Sequence, residues 1–164
     1  MSVMRKAPEM KEPTIIHSTF ALERSFPKPP EQVFAAFADV EKKRRWYAVG
    51  DRHQVEAFEM DFRVGGAETF LYRMGKETPF PGTLLENHGT YQEIVTNRSI
   101  VLATTMSLGG KRISSSLITV ELLWDGTATD LIFTHQGAFY EGSGGPEMRE
   151  AGWKTILDRL ANVI

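Results

Sequence analysis

The hydrophobic pattern of this chain changes period three times. From Ile16 to Phe26 it alternates in part, with Ser18, Phe20, Leu22 and Arg24 on one side, and reads as a first strand. Pro27, Pro29 and Pro30 end that strand, and Pro30 suits the first turn of a helix in which Val33, Phe34 and Phe37 share a face. Glu41 to Tyr47 reads as a second, short helix. From His53 onward the pattern is strand after strand: Val55 to Asp61, Ala67 to Met74, Gly89 to Val95, Ser99 to Ser107, Ile113 to Trp124 and Thr129 to His135. Gly65-Gly66, Asn97, Gly109-Gly110 and Asp125-Gly126 mark the turns. The Asp-Gly pair is the strongest hairpin signal, because it tolerates the positive φ of a type I′ turn. Gly75 to Glu86, with Pro79, Pro81 and Gly82, reads as a loop. After Gly142-Ser143-Gly144-Gly145-Pro146 the period returns to helical, and Trp153, Ile156, Leu157, Leu160, Val163 and Ile164 form a broad apolar face opposite Glu147, Arg149, Glu150, Lys154, Asp158 and Arg159.

Strands segregated from helices in this way indicate an α+β fold rather than a doubly wound sheet. One helix cannot seal the whole concave face of a six- or seven-stranded antiparallel sheet. The expected result is a curved sheet wrapped around the C-terminal helix, with an apolar space between them.

The 164 residues fit a single domain, read here as 15–164 behind a flexible lead over 1–14. A chain of this length buries roughly 70% of its unfolded surface, so one core suffices without staples. Lys and Arg total 19 against 21 Asp and Glu, and this near balance gives no electrostatic case for nucleic acid. The absence of cysteine excludes disulfides, thiolate nucleophiles and Cys-based zinc or iron–sulfur sites. No apolar run approaches the roughly 20 residues that span a bilayer, and Met1 to Thr14 lacks the apolar stretch of a signal peptide. A cytoplasmic protein with no membrane span is expected. His17, His53, His88 and His135 include no i,i+4 pair, so neither a metal nor any other cofactor is expected.

Several local signatures occur in a specific order. They are Phe20-Ala21-Leu22-Glu23-Arg24-Ser25-Phe26, then Pro30-Glu31-Gln32-Val33-Phe34-Ala35-Ala36-Phe37, Trp46, and Asp61-Phe62-Arg63-Val64-Gly65-Gly66. Gly89-Thr90-Tyr91-Gln92-Glu93-Ile94, Thr134-His135-Gln136-Gly137 and Gly152-Trp153 follow, with Leu157 and Leu160 behind. From about Thr19 to Ile164 this series resembles the START-like (SRPBCC) superfamily, and within it the branch related to the C-terminal domain of the Hsp90 ATPase activator. The resemblance implies a helix-grip fold with a cavity between sheet and long helix. It also implies a range of roles, from binding lipids, hormones or polyketides to cyclase and cochaperone activity; fold alone does not choose among them.

Candidate chemistry is sparse. Asp61 and Arg63 alternate at a strand end and read either as an anchor for a ligand carboxylate or as a pair that fixes the turn at Gly65-Gly66. His135 is in phase with Leu131 and Phe133, which places an imidazole on an apolar face. Glu68 shares a strand face with Phe70 and Tyr72 and is the best carboxylate to pair with His135. Tyr91, Met106, Trp124, Phe139 and Trp153 are candidate cavity walls, and each is equally suited to plain core. Gly152 costs its helix about 1 kcal/mol against alanine, which points to a close approach or to room beside Trp153. Glu41-Lys42-Lys43-Arg44-Arg45 reads as a solvated face, alternatively as a basic patch near a cavity mouth.

The leading expectation is therefore a protein that binds a small hydrophobic or amphipathic molecule. Phe70, Phe133 and the aromatic walls would supply apolar burial, and Arg63, His135, Tyr72 or Glu68 would orient polar groups. A cyclase or hydrolase using His135 with a carboxylate is the alternative from catalysis. A chaperone-interaction module is the alternative from protein association, and a homodimer through strand edges is compatible with either.

Overall fold

Prolines and glycines set the element boundaries, and the seven strands between them form one antiparallel sheet. The computed structural model describes residues 12–49 and 53–164, so the lead expected over 1–14 falls outside the described residues apart from its last three. The elements run β1 (Ile16–Phe26), α1 (Pro30–Ala38), α2 (Val40–Trp46), β2 (Gln54–Met60), β3 (Ala67–Arg73), β4 (Leu84–Val95), β5 (Ser99–Leu108), β6 (Lys111–Trp124), β7 (Thr129–Phe139) and α3 (Pro146–Leu160). The sheet order is β1-β7-β6-β5-β4-β3-β2, so the first strand returns to pair with the last, and β1 and β2 are the edges. The α+β helix-grip expectation holds: a curved open sheet carries two short helices after its first strand and a helix at its C-terminal end.

Three boundaries differ from the sequence reading. β4 begins at Leu84 rather than Gly89, because Leu84 to Asn87 pair with β3 on one side and Leu85 to Asn87 with β5 on the other. The prolines and Gly82 confine the connection to the segment before Thr83. β7 runs on to Phe139 because Gln136 to Phe139 pair with both Ile16–Thr19 and Ser114–Leu117. The two-residue turn is not at Asp125-Gly126. There Trp124 pairs with Thr129 across four residues, and the Asp125 carboxylate accepts from the backbone N–H groups of Thr127 and Ala128, both at 2.7 Å. Gly109 and Gly110, at φ 59° and 82°, instead make the tight hairpin between Leu108 and Lys111.

α1 starts on Pro30 and buries Val33, Phe34, Ala36 and Phe37; the Asp39 carboxylate then caps α2 by accepting from Lys42 N–H at 3.0 Å. Trp46 is fully buried, donates its indole N–H to Ala36 O at 2.9 Å, and meets Phe37 edge to face. α3 docks by its second half. Leu157 and Leu160 are buried in the main core, Arg159 donates to Trp46 O at 3.0 Å, and Asp158 pairs with Arg24 of β1 at 3.1 Å. Its first half buries no apolar side chain in that core.

Two glycines test this account by opposite outcomes. A Cβ at Gly66 would stand 1.9 Å from the backbone oxygen of Asp61, so Gly66→Ala should destabilise the fold by about 3 kcal/mol. A Cβ at Gly152 meets nothing within 4 Å, so Gly152→Ala should stabilise it by about 0.5–1 kcal/mol. Denaturant unfolding of the two variants beside the parent measures both; loss of stability in Gly152→Ala would refute the open space beside α3.

Candidate functional site

The space left under the first half of α3 is a pocket of about 580 Å³. Its floor is the inner face of the central strands, where Asn87, Thr104 and Ile118 lie between larger neighbours. Its walls are Tyr47, Phe70, Tyr72, Tyr91, Phe133 and Trp153, and its mouth carries the exposed side chains of Phe80 and Met148 beside Gly142 and Gly144. Gly144 and Gly145 take φ of 80° and 91°, so the chain can bend sharply into Pro146 at the start of α3.

Phe70, Tyr72, Tyr91, Met106, Phe133, His135 and Trp153, all named from sequence, line this pocket, as does Glu68. Three others do not. Arg63 stands in the β2–β3 connection, exposed and outside the pocket lining, with Nε 2.7 Å from Asp61 Oδ2, where it braces the turn. Gly65 and Gly66 exchange backbone hydrogen bonds with Tyr91, which holds that turn against β4. Trp124 ends β6 next to the Asp125 loop and is 46% exposed, because the strand outruns the core there. Phe139 is buried but sits behind the lining, stacked on the His135 ring at 5.9 Å between centroids.

Glu68 and His135 are not brought together as an acid–base pair. They lie on β3 and β7, with three strands between. Glu68 is buried and accepts from Lys43 Nζ at 2.6 Å and from the Tyr91 hydroxyl. Lys43 also lies 4.9 Å above the Tyr47 ring. Burial first, and the Glu68 carboxylate second, push the Tyr91 and Tyr47 phenols up, so both remain neutral donors at physiological pH. The charge run of α2 is therefore only partly a solvated face: Lys43 turns inward. The signal was its spacing, since Lys43, Trp46 and Tyr47 stand at i, i+3 and i+4 on one helical face.

His135 is 1% exposed and lies almost parallel to Phe20, 4.8 Å away. Among the described residues neither ring nitrogen has a hydrogen-bond partner, and the buried Ser116 Oγ likewise has none. Ser116 pairs with Gly137 and Ile118 with His135, so the serine and the imidazole are diagonal neighbours on the inner face. Burial, and then the nearby Arg149 cation, lower His135 to about 4, which keeps the ring neutral.

Arg149 was assigned by sequence to the solvent side of α3. It lies instead in the pocket lining, with Nη2 donating to Ser114 Oγ at 2.8 Å and to Met106 Sδ at 3.2 Å, and its guanidinium 5.2 Å above the Phe139 ring. The inward stripe of α3 is Arg149, Gly152, Trp153 and Ile156; the i,i+4 relation of Arg149 to Trp153 was the available signal. Among the described residues no three histidines or carboxylates come together as metal ligands, and no helix is long and apolar enough to cross a membrane.

The family model described as activator of Hsp90 ATPase homolog 1-like protein matches residues 27–164. Among solved structures, the chain is similar to the Mll3558 protein of Rhizobium loti at 39% identity, over 92% of this chain and 99% of that one, with a TM-score of 0.82. It is similar to a putative uncharacterized protein of Rhizobium leguminosarum at 34% identity, over 91% and 95%, with a TM-score of 0.81. The CV1439 protein of Chromobacterium violaceum follows at 25% identity, over 89% and 96%, with a TM-score of 0.74. No curated protein matches the chain.

The depressed His135 makes a prediction about acid. The unfolded chain takes up a proton near pH 6.5, and the folded chain takes it up only near 4. The stabilising difference is complete above the unfolded value and is lost as pH falls through 6.5 toward 4. Between pH 7 and pH 5 this residue should cost about 2 kcal/mol of unfolding free energy. Denaturant titrations at the two pH values should show the loss, and His135→Gln should reduce it. An unchanged pH slope in the variant would remove His135 as its source.

Proposed function

The chain belongs to the activator of Hsp90 ATPase homolog 1-like family, and within it we propose that this protein binds one small, mainly apolar molecule between the curved sheet and the first half of α3. One observation carries the reading. An apolar-walled space of about 580 Å³ lies between sheet and helix, and His135, neither of whose ring nitrogens has a hydrogen-bond partner among the described residues, stands in its lining. A buried polar group left unpaired costs about 1–3 kcal/mol, so such a group is tolerated where something else satisfies it.

A neutral imidazole offers one donor and one acceptor. A guest whose carbonyl, hydroxyl or ether oxygen reached the His135 ring would give the imidazole the partner it lacks, while its apolar body meets Phe70, Phe133 and Trp153. Apolar burial at about 25 cal/mol per Å² would supply most of the affinity, and the imidazole would fix orientation. The volume falls within the range of about 300–1,000 Å³ that drug-sized ligands occupy.

Trp153 and Trp46 line the pocket and Trp124 does not, so tryptophan emission reports occupancy. Titration with a panel of naphthols, aromatic ketones and medium-chain alcohols should change the emission saturably. At a hundredfold excess over Kd, the best ligand should raise the unfolding midpoint by about 5–10 °C. Thr104→Trp, which fills the floor, should abolish both effects in a protein that still unfolds cooperatively. A panel that moves neither observable defeats the reading; if an Hsp90-type ATPase is nevertheless captured at micromolar concentration, the chaperone role takes its place.

A further inference from the structure

Three charged side chains line the pocket: Lys43, Glu68 and Arg149. Two of them cancel, since Lys43 Nζ and Glu68 Oε2 are 2.6 Å apart and both residues are buried. Arg149 has no carboxylate within ion-pair distance among the described residues. Its one polar oxygen partner is the neutral Ser114 hydroxyl, and its other contacts are a thioether and the Phe139 ring. Nε and Nη1 donate to no described residue. The pocket thus holds one half-buried cation with no counter-ion among the described residues and with unused donors on Nε and Nη1; a carboxylate can take one of them, or pair it with Nη2 by displacing the weak Met106 thioether contact.

The surroundings favour an anion there. Tyr47 and Tyr72 share the pocket with Arg149, and burial pushes both phenols up, so they present hydroxyl donors and no competing negative charge. His135 is neutral and lies beyond Phe139 in the same row. Arg149 is itself held below its ordinary range by partial burial, and it has no counter-ion among the described residues.

Resting on the pocket reading above, we propose that the guest is an amphipathic monocarboxylate, with its carboxylate on the Arg149 guanidinium and its apolar body running inward past Trp153. The unpaired imidazole of His135 then serves a second, neutral oxygen function on the same molecule or an ordered water.

A series at constant chain length tests this: decanoic acid, methyl decanoate, decanol and decylamine, each titrated calorimetrically into the full chain at pH 7. The acid should bind about 30-fold tighter than the alcohol or the ester, and the amine most weakly. Arg149→Met, which keeps an unbranched stem, should bring acid and alcohol within about threefold while leaving alcohol affinity unchanged. Arg149→Lys should restore part of the preference, because it returns the charge without the guanidinium geometry. Equal binding of acid and alcohol by the parent overturns the carboxylate assignment and leaves the pocket reading standing. Failure of all four to bind overturns both. A preference that survives in Arg149→Met places the anion on another residue and refutes the role of Arg149.

Discussion

The constraint behind everything else is one of width. Seven strands span six spacings, roughly 29 Å along the arc, whereas a helix with its side chains is about 10 Å wide. α3 therefore cannot cover the concave face, and α1 and α2 close only part of what it leaves. Such a face must either fill with large side chains or remain open. Here the floor carries Asn87 and Thr104 where bulky aliphatics would have closed the gap. α3 also spends its apolar contacts at one end, through Leu157 and Leu160, so its first half forms a roof and not a plug.

An interior opened in this way is expensive for polar groups, and the molecule treats its three charges unequally. Glu68 receives both Lys43 and Tyr91, a closed cluster that joins α2, β3 and β4 and so ties the short helix to the far side of the sheet. That cluster is structural in effect: it orients Tyr91 and Tyr47 in the wall and leaves no net charge. Arg149 and His135 are treated differently. They sit with incomplete partners at the end of the pocket where α3 begins. Satisfied polar groups at one end and unsatisfied ones at the other give the space a direction, which a plain packing defect would lack.

The fold was legible because each boundary had a local cause. Proline at Pro30 and Pro146, glycine pairs between strands and the return to helical period after Gly145 are short-range signals, and the order of elements along the chain followed from them. The misread boundaries had competing signals: Pro79, Pro81 and Gly82 masked the start of β4, and the side-chain-capped Asp125 loop imitated a two-residue turn. The pocket walls were legible by phase, as with Phe133 and His135 on β7 or Phe70 and Tyr72 on β3. The charges were not. Arg63 and Arg149 are alike as letters, and beyond the i,i+4 relation of Arg149 to Trp153 it is the tertiary path that decides that one closes a turn in solvent while the other hangs over Phe139. Lys43 was hidden for the same reason, inside a run of five charged residues of which one faces the core.

The sharpest link from sequence to chemistry runs through a residue with no side chain. Gly137 lies between His135 and Phe139 on the inner face of β7, and a Cβ there would stand 2.7 Å from the Phe139 ring and 2.9 Å from the imidazole. Its absence lets the two rings close over the strand, so that Phe20, His135 and Phe139 form one stacked row with the Arg149 guanidinium at its end. Stacking holds the imidazole plane, and the plane sets where its two nitrogens can be met. Any larger residue at 137 would tilt His135 or displace Phe139 and, with it, the surface under Arg149. A strand glycine that local propensity counts as a defect thus positions both unsatisfied groups of the pocket at once.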